Sequence, residues 1–202
     1  MREPVHISLE DAIPSGDFVV PPHYEGEVGS ILIPYHRIFK RVVELAESIQ
    51  SDYRHDDLHL IAVMDGADMF CTDLMNTLSS DIVPQHQLYR HNITAKSYEN
   101  TQSSANLKVT GDISWVEDKR ILLIEDIVDT GHTMSSLINL LEQKGARDVK
   151  SASMLVKRTL ASNGFTPDYA GFSIPDEFVI GYGMDYKGYW RNAPGIFAVK
   201  GM

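Results

Sequence analysis

The sequence is poor in cysteine, in long apolar runs and in positive charge. Cys71 is the single thiol among 202 residues, so an internal disulfide framework is excluded and a reducing, cytoplasmic location is expected. No stretch approaches the roughly 20 apolar residues of a membrane-spanning helix, and the first residues lack an apolar signal core. With 18 Lys and Arg against 28 Asp and Glu, the net charge of −10 argues against a nucleic-acid-binding surface.

Two common nucleotide-binding motifs are also missing. The sequence contains neither a Walker Gly-x-x-x-x-Gly-Lys-Ser/Thr stretch nor Gly-x-Gly-x-x-Gly, so P-loop and dinucleotide folds lack support. The composition, 43% hydrophobic and 23% charged, is that of an ordinary globular protein. The length predicts a single domain over 1–202, with a core at about 34–172 and a small hood from about 1–30 and 173–202.

Strand and helix patterns alternate along the predicted core. An amphipathic helix follows Pro34, and residues 58–64 then form an apolar strand that ends at a turn containing Asp65 and Gly66. A helix over 69–78 and further strands at 82–92 and 148–156 continue the alternation. This order predicts an α/β fold with a central, mostly parallel sheet flanked by helices.

The most informative stretch is 121–134. Ile121-Leu-Leu-Ile124 predicts a buried strand, Glu125 and Asp126 follow at its carboxyl end, and a turn at 129–133 leads into a helix. Parallel sheets bind ligands at this edge. Because the turn offers a glycine, two threonine hydroxyls and amides at a helix N-terminus, it is suited to a phosphate. The two acids are suited to sugar hydroxyls or to Mg²⁺ beside that phosphate.

This stretch resembles the phosphoribosyl-pyrophosphate signature of type I phosphoribosyltransferases, in which four aliphatics, two acids and two variable residues precede Asp-Thr-Gly-x-Thr. Three further stretches, Lys96-Ser-Tyr-Glu-Asn100, Leu155-Val-Lys-Arg-Thr159 and Phe178-Val-Ile-Gly-Tyr-Gly-Met-Asp-Tyr186, together with Arg191, are similar to the hypoxanthine-guanine phosphoribosyltransferase family. The resemblance extends from about residue 58 to 191. It implies a type I phosphoribosyltransferase fold and transfer of a phosphoribosyl group to N9 of hypoxanthine or guanine, giving pyrophosphate and IMP or GMP.

The resemblance also implies a role for each matching residue. Asp129 would be the general base, and the phosphoribosyl group would be held by Glu125, Asp126, Asp129, Thr130, Gly131, His132 and Thr133. The purine would contact Ile127, Lys157, Phe178, Val179 and Asp185, with Lys157 donating to the 6-oxo group. Pyrophosphate would contact Met64, Asp65, Gly66, Ser97, Tyr98 and Arg191. Mg²⁺ would be held by Glu125, Asp126 and Asp185.

Two positions depart from the family pattern. Asp65 stands where the family usually has a basic residue, in a turn that commonly contains a cis peptide bond, and it brings a like charge close to pyrophosphate. His132 stands where a long residue such as lysine is common. The polar stretch 93–112 is expected to be either a lid over the site or a disordered connection.

Alternative functions remain open at this point. Without the resemblance, Lys157 would be a solvated charge and Phe178 a core residue. Within the family, the alternative is a weakly active or non-catalytic paralogue that binds phosphoribosyl pyrophosphate. Asp65 favours this alternative and the presence of Asp129 argues against it. The family also implies a homodimer or homotetramer.

Overall fold

The structure is a computed structural model that describes residues 3–14, 26, 28–54, 56–81, 87–98 and 106–200. Its strands are β1 (Val5–His6), β2 (Ile13–Pro14), β3 (Val28–Pro34), β4 (Leu58–Val63), β5 (Leu88–Tyr98), β6 (Asn106–Thr110), β7 (Arg120–Val128), β8 (Asp148–Lys157), β9 (Tyr169–Ile174), β10 (Val179–Ile180) and β11 (Gly195–Val199). Its α-helices are α1 (Tyr35–Asp52), α2 (Asp68–Asp81) and α3 (His132–Gln143), and Leu9–Asp11 form one turn of 3-10 helix. Within these ranges no helix is long and apolar enough to cross a membrane.

The larger sheet has seven strands in the order β1-β9-β8-β7-β4-β5-β6. Every neighbouring pair is parallel except β5 and β6, which are antiparallel. The predicted α/β fold with a mostly parallel sheet is therefore confirmed. The central strands explain it: all six residues of β4 and the first apolar residues of β7 are buried, as expected when helices cover both faces.

The helices divide the core into two apolar layers. Ile38 and Leu45 of α1 pack with Phe70 and Leu74 of α2 on one face of the large sheet. Met134, Leu137 and Leu141 of α3 pack on the other face. This arrangement places the N-terminus of α3 directly after β7, at the carboxyl edge of the sheet.

A second, antiparallel sheet stands at this edge. Its four strands are β10, β11, β3 and β2, and it is called the hood sheet below. Strands β10 and β11 come from the predicted C-terminal hood segment, 173–202. The N-terminal segment divides, because β1 pairs with β9 in the larger sheet while β2 and β3 join the hood sheet.

Two stretches differ from their predictions. The strand expected at 82–92 is β5, Leu88–Tyr98, with 82–86 outside the described residues. In the polar stretch 93–112, residues 94–98 and 106–110 pair as an antiparallel ribbon, and 99–105 are not described. A two-stranded ribbon needs no continuous apolar run, because its backbone hydrogen bonds form regardless of side-chain polarity. The sequence pattern predicted only a short strand at 108–113, which overlaps the end of β6.

Candidate active site

A cleft of about 420 Å³ lies between the carboxyl edge of the large sheet and the hood sheet. It is lined by most of the predicted site residues: Met64, Asp65, Gly66, Glu125, Asp126, Ile127, Asp129, Thr133, Lys157, Phe178, Val179, Asp185 and Arg191. Thr130, Gly131 and His132 lie in the turn between two lining residues. Ser97 and Tyr98 end β5, and their side chains are outside the described part of the structure.

Two carboxylates stand side by side in the cleft at Glu125 and Asp126. Strand β7 continues through them, because Glu125 and Ile127 pair with Ser153 and Leu155 of β8. The N–H of Ile127 donates to Asp126 Oδ1 at 2.8 Å. Burial, reinforced by the neighbouring Asp126 carboxylate, raises the pKa of Glu125 well above its usual value. A cation at this position would stabilise the ionised carboxylates and so lower the pKa of Glu125.

The 129–133 turn joins β7 to α3. Gly131 has φ of 85°, in the left-handed region that favours glycine, and it precedes the helix without a side-chain cap. The first helical bond runs from Ser135 N to Gly131 O at 3.0 Å, so the preceding amides have no partner within the helix. The first amides of α3, which carry the partial positive charge of the helix N-terminus, are therefore suited to bind an anion.

Lys157 lies at the end of β8 among carboxylates. Its Nζ is 3.3 Å from Asp129 Oδ2 and 3.8 Å from Asp176 Oδ1, and its side chain is only 13% exposed. The structure thus brings together two predicted site residues, Lys157 and Asp129, that are 28 positions apart in the sequence. Asp176 was missed, because a single acid in a short loop gives no signal in the sequence.

The hood sheet supplies an aromatic wall. Phe178 is 40% exposed, lines the cleft and packs edge-to-face on Tyr186 with ring centroids 5.6 Å apart. Val179 is buried beside it, and Ile127 contributes an apolar surface from β7. A large aromatic side chain that remains exposed in a cleft provides a surface on which a planar ring can stack.

Arg191 connects the hood to the turn after β4. Its Nη2 is 2.8 Å from Asp185 Oδ1 and 3.8 Å from Asp65 Oδ2, while its Nη1 donates to Gly183 O at 2.7 Å. The Met64–Asp65 peptide bond is cis, as the resemblance implies. The Asp65 side chain is 69% exposed, so its charge is close to Arg191 and also accessible to solvent.

The turn after β4 also rests directly on β7 and on the hood. A Cβ atom at Gly66 would overlap the Asp126 carboxylate, and a Cβ atom at Gly183 would overlap the Gly66 carbonyl oxygen. The Gly66 backbone therefore contacts both the Gly183 segment and the Asp126 carboxylate, with no room for a side chain at either glycine. This contact fixes the height of the hood above Asp126.

Comparisons with known proteins agree with the geometry. The sequence matches the family model of the phosphoribosyl transferase domain over residues 31–187. It is 39% identical over 188 residues to phosphoribosyltransferase domain-containing protein 1 of Homo sapiens, covering 91% of this chain and 84% of that relative. It is 38% identical over 183 residues to the hypoxanthine-guanine phosphoribosyltransferase of Homo sapiens, covering 87% of this chain and 83% of that relative.

The fold has a solved counterpart. The crystal structure of hypoxanthine-guanine phosphoribosyltransferase from Schistosoma mansoni in complex with IMP matches 98% of this chain and 95% of its own, with a TM-score of 0.79 and 28% sequence identity. The predicted resemblance to hypoxanthine-guanine phosphoribosyltransferases is confirmed, and this chain belongs to the phosphoribosyltransferase family.

Proposed function

We propose that this protein is a purine salvage enzyme that transfers the 5-phosphoribosyl group of phosphoribosyl pyrophosphate to N9 of hypoxanthine or guanine. The observation that carries the proposal is the position of Asp129 at the start of the 129–133 turn, with its Oδ2 3.3 Å from Lys157 Nζ. One carboxylate thus lies next to both a phosphate-binding helix N-terminus and a hydrogen-bond donor for a base. Family membership and the hypoxanthine-guanine phosphoribosyltransferase relatives support this reaction.

The 129–133 turn is proposed to bind the 5′-phosphate. The amides at the start of α3 and the hydroxyls of Thr130 and Thr133 are donors for its oxygens. Glu125 and Asp126, directly before the turn, are then placed to accept hydrogen bonds from the ribose hydroxyls. The exposed His132 side chain adds a donor at the helix start, where the family often has a longer residue.

The purine is proposed to stack on Phe178, with Ile127 beside it and the Val179 backbone reading the ring edge. Lys157 donates to the 6-oxo group, and Asp129 accepts the proton of N7. As N9 forms its bond to the anomeric carbon, the bond from that carbon to the pyrophosphate oxygen breaks. Pyrophosphate leaves, and the N7 proton moves to Asp129. A well-placed general base of this kind contributes about 10²–10⁴-fold to a rate.

Pyrophosphate is proposed to bind between the turn at 64–66, the end of β5 at Ser97 and Tyr98, and Arg191. The donor set suits Mg²⁺, which is usually bound by one or two carboxylates together with substrate phosphates. Glu125, Asp126 and Asp185 would hold it together with those phosphates, since no group of three acidic, histidine or cysteine side chains among the described residues could bind a metal ion alone. When bound, the metal ion neutralises charge on the leaving pyrophosphate. Arg191 adds a fixed positive charge on the hood side.

The ribbon of β5 and β6 is proposed to cover the site during the reaction. Positive charge develops at the anomeric carbon, and water that reached this carbon would hydrolyse the donor. Hydrogen exchange of the ribbon amides with and without a transition-state mimic, Mg²⁺ and pyrophosphate tests this role. Slower exchange in the complex is expected, and equal exchange in both states argues against a lid.

The proposed reaction is tested by incubating the purified protein with phosphoribosyl pyrophosphate, Mg²⁺ and each of hypoxanthine, guanine, xanthine and adenine. Formation of IMP and GMP is expected. Adenine should fail, because its amino group offers no acceptor to Lys157, and sites built around a polar contact reject such analogues by about 10⁴-fold. Adenine turnover equal to that of hypoxanthine contradicts the role of Lys157. Donor binding without any product would instead indicate a non-catalytic paralogue, which the presence of Asp129 does not favour.

Three further properties remain predictions: the cytoplasmic location, the requirement for Mg²⁺ and assembly as a homodimer or homotetramer. Sedimentation of the purified chain measures the assembly. Activity titrated with Mg²⁺ after removal of metal ions measures the metal requirement.

A further inference from the structure

The segment that joins β8 to β9 packs against the 129–133 turn through Asn163. The backbone N–H of Asn163 donates to Thr130 O at 2.8 Å. Its side-chain Nδ2 donates to Ser135 Oγ, on the first turn of α3, at 3.2 Å. Its Oδ1 accepts the N–H of Phe165 at 2.9 Å. One residue of a separate loop therefore holds both sides of the junction between the turn and the helix.

Asn163 also fills the space beside Gly131. A Cβ atom at Gly131 would overlap Asn163 Oδ1 and would lie 2.7 Å from Phe165 Cβ. Phe165 in turn packs against the apolar layer under α3. The glycine at the centre of the turn is thus in direct contact with a side chain that is itself anchored, which restricts the conformations of the turn.

The hydrogen bond to Thr130 also sets the direction of an amide. The peptide group between Thr130 and Gly131 is planar, so its N–H points away from its C=O. Because the carbonyl is held toward Asn163, the Gly131 N–H is directed away from the 159–167 segment. A preorganised donor binds an anion without the cost of ordering the turn when the ligand arrives.

We propose that Asn163 is a positioning residue that sets the affinity of the 129–133 turn for the 5′-phosphate of the ligand. This inference rests on the proposed function, because that function places the 5′-phosphate at this turn. Asn163 does not touch the reacting atoms. Its side chain acts by filling the space beside Gly131 and by holding Ser135 on the first turn of α3, whereas its backbone N–H holds the Thr130 carbonyl and is kept in every variant.

The test compares a ligand that carries the phosphate with one that lacks it. Calorimetry measures binding of GMP and of guanosine to the wild type, to Asn163→Ala and to Ser135→Ala. Ser162→Ala is the matched control, because among the described residues its hydroxyl accepts only the Gly164 N–H, within the same segment, at 3.2 Å. Thermal unfolding of each variant reports whether the fold is retained.

Asn163→Ala is expected to weaken GMP binding by about five- to tenfold, the loss typical of one or two hydrogen bonds, and to leave guanosine binding unchanged. In the steady state the KM for phosphoribosyl pyrophosphate should rise by a similar factor with kcat unchanged, since binding is lost equally in the ground and transition states. Ser135→Ala should show a smaller effect of the same kind, and Ser162→Ala none.

Two results would overturn the inference alone: GMP binding that is unchanged in Asn163→Ala, or GMP and guanosine binding that weaken equally. If the wild type itself binds GMP no better than guanosine, the proposed function fails and the inference fails with it. The wild-type comparison therefore tests the function, and the variants test Asn163.

Discussion

The two ends of the large sheet both carry acids but use them in opposite ways. At the amino end, Arg120 binds Asp56 at 2.7 Å and Asp148 at 3.1 Å, and Arg147 binds Asp56 at 2.5 Å. These residues are called the amino-end network below. At the carboxyl end, Glu125 and Asp126 adjoin each other, and their carboxylates accept hydrogen bonds from the backbone amides of Asp126 and Ile127. Cations pair with the acids of the amino-end network, whereas Glu125 and Asp126 bring two carboxylates together.

The pKa shifts have opposite directions at the two ends. Hydrogen bonds from Arg120 and then Arg147 lower the pKa of Asp56 below its usual value. Burial and the adjacent Asp126 raise the pKa of Glu125. The charge of a carboxylate that has cations around it is compensated within the fold. The charge of a buried pair of carboxylates is compensated when a ligand or metal ion binds. The comparison separates acids that are paired within the fold from the acids that are proposed to bind the substrate.

The largest expected effect is at the carboxyl end. Asp129→Asn should lower kcat for IMP formation by about 10²–10⁴-fold, because the amide cannot accept the N7 proton. The thermal unfolding midpoint should change little, since the side chain is 53% exposed. Rapid-mixing or steady-state assays and a thermal melt measure both. A variant with near-normal kcat would exclude Asp129 as the base.

The opposite result is expected at the amino end. Arg120→Met removes hydrogen bonds to Asp56 and Asp148 from a side chain that is 17% exposed and lies 4.3 Å from the centre of the Tyr53 ring. The free energy of unfolding should fall by about 2 kcal/mol, because two carboxylates lose a charged donor, while kcat stays unchanged. Urea unfolding measures the loss. A change in kcat without a loss of stability would remove the distinction between the two ends.

A smaller effect is expected from the histidines beside the amino-end network. His59 Nδ1 and His91 Nε2 are 3.3 Å apart, and His91 stacks on Trp115 with ring centres 3.6 Å apart. Burial lowers the pKa of both imidazoles. Below pH of about 6.5 the unfolded chain therefore binds more protons than the folded protein, so stability is lost as pH falls through this range.

His91→Gln should make the decrease in stability between pH 7 and pH 5 shallower than in the wild type. The change cannot exceed about tenfold in the unfolding equilibrium per pH unit for one proton. Urea unfolding at each pH measures it, and the same comparison at pH 8 separates lost packing from lost titration. Equal slopes in the two proteins would show that His91 does not contribute.

The smallest effect is expected at Asp65, an exposed carboxylate close to the Arg191 guanidinium. Asp65→Lys removes a carboxylate 3.8 Å from Arg191 and restores the sign that the family usually has. The KM for pyrophosphate in the reverse reaction should fall by about two- to fivefold, the range for exposed ion pairs, and by less at high salt. Asp65→Asn isolates the removal of charge. An unchanged KM at low salt would show that only the backbone of this turn matters.

The sequence predicted the carboxyl end better than the amino end. Asp129 follows β7 and Lys157 ends β8, and neighbouring parallel strands end on one edge of the sheet, so their proximity could be anticipated, whereas Phe178 was indicated only by the family resemblance. Asp176 and Asn163 lie in loops whose path depends on tertiary packing. The amino-end network was not anticipated for a similar reason, because Asp56 and Arg147 lie in two separate connections and Arg120 begins β7.

The contact among Gly66, Gly183 and Asp126 has a consequence for redesign of the protein. Substrate range is commonly altered by exchanging residues along a binding wall, and here the hood offers Phe178 and its neighbours for that purpose. The distance between that wall and Asp126 is a different variable. It is set by the contacts of the Gly66 backbone with the Gly183 backbone and with the Asp126 carboxylate. Any side chain at position 66 or 183 would overlap the neighbouring segment and push the two segments apart. Libraries that vary the wall while holding these two glycines constant should therefore yield altered specificity, whereas libraries that include them should yield mostly inactive protein.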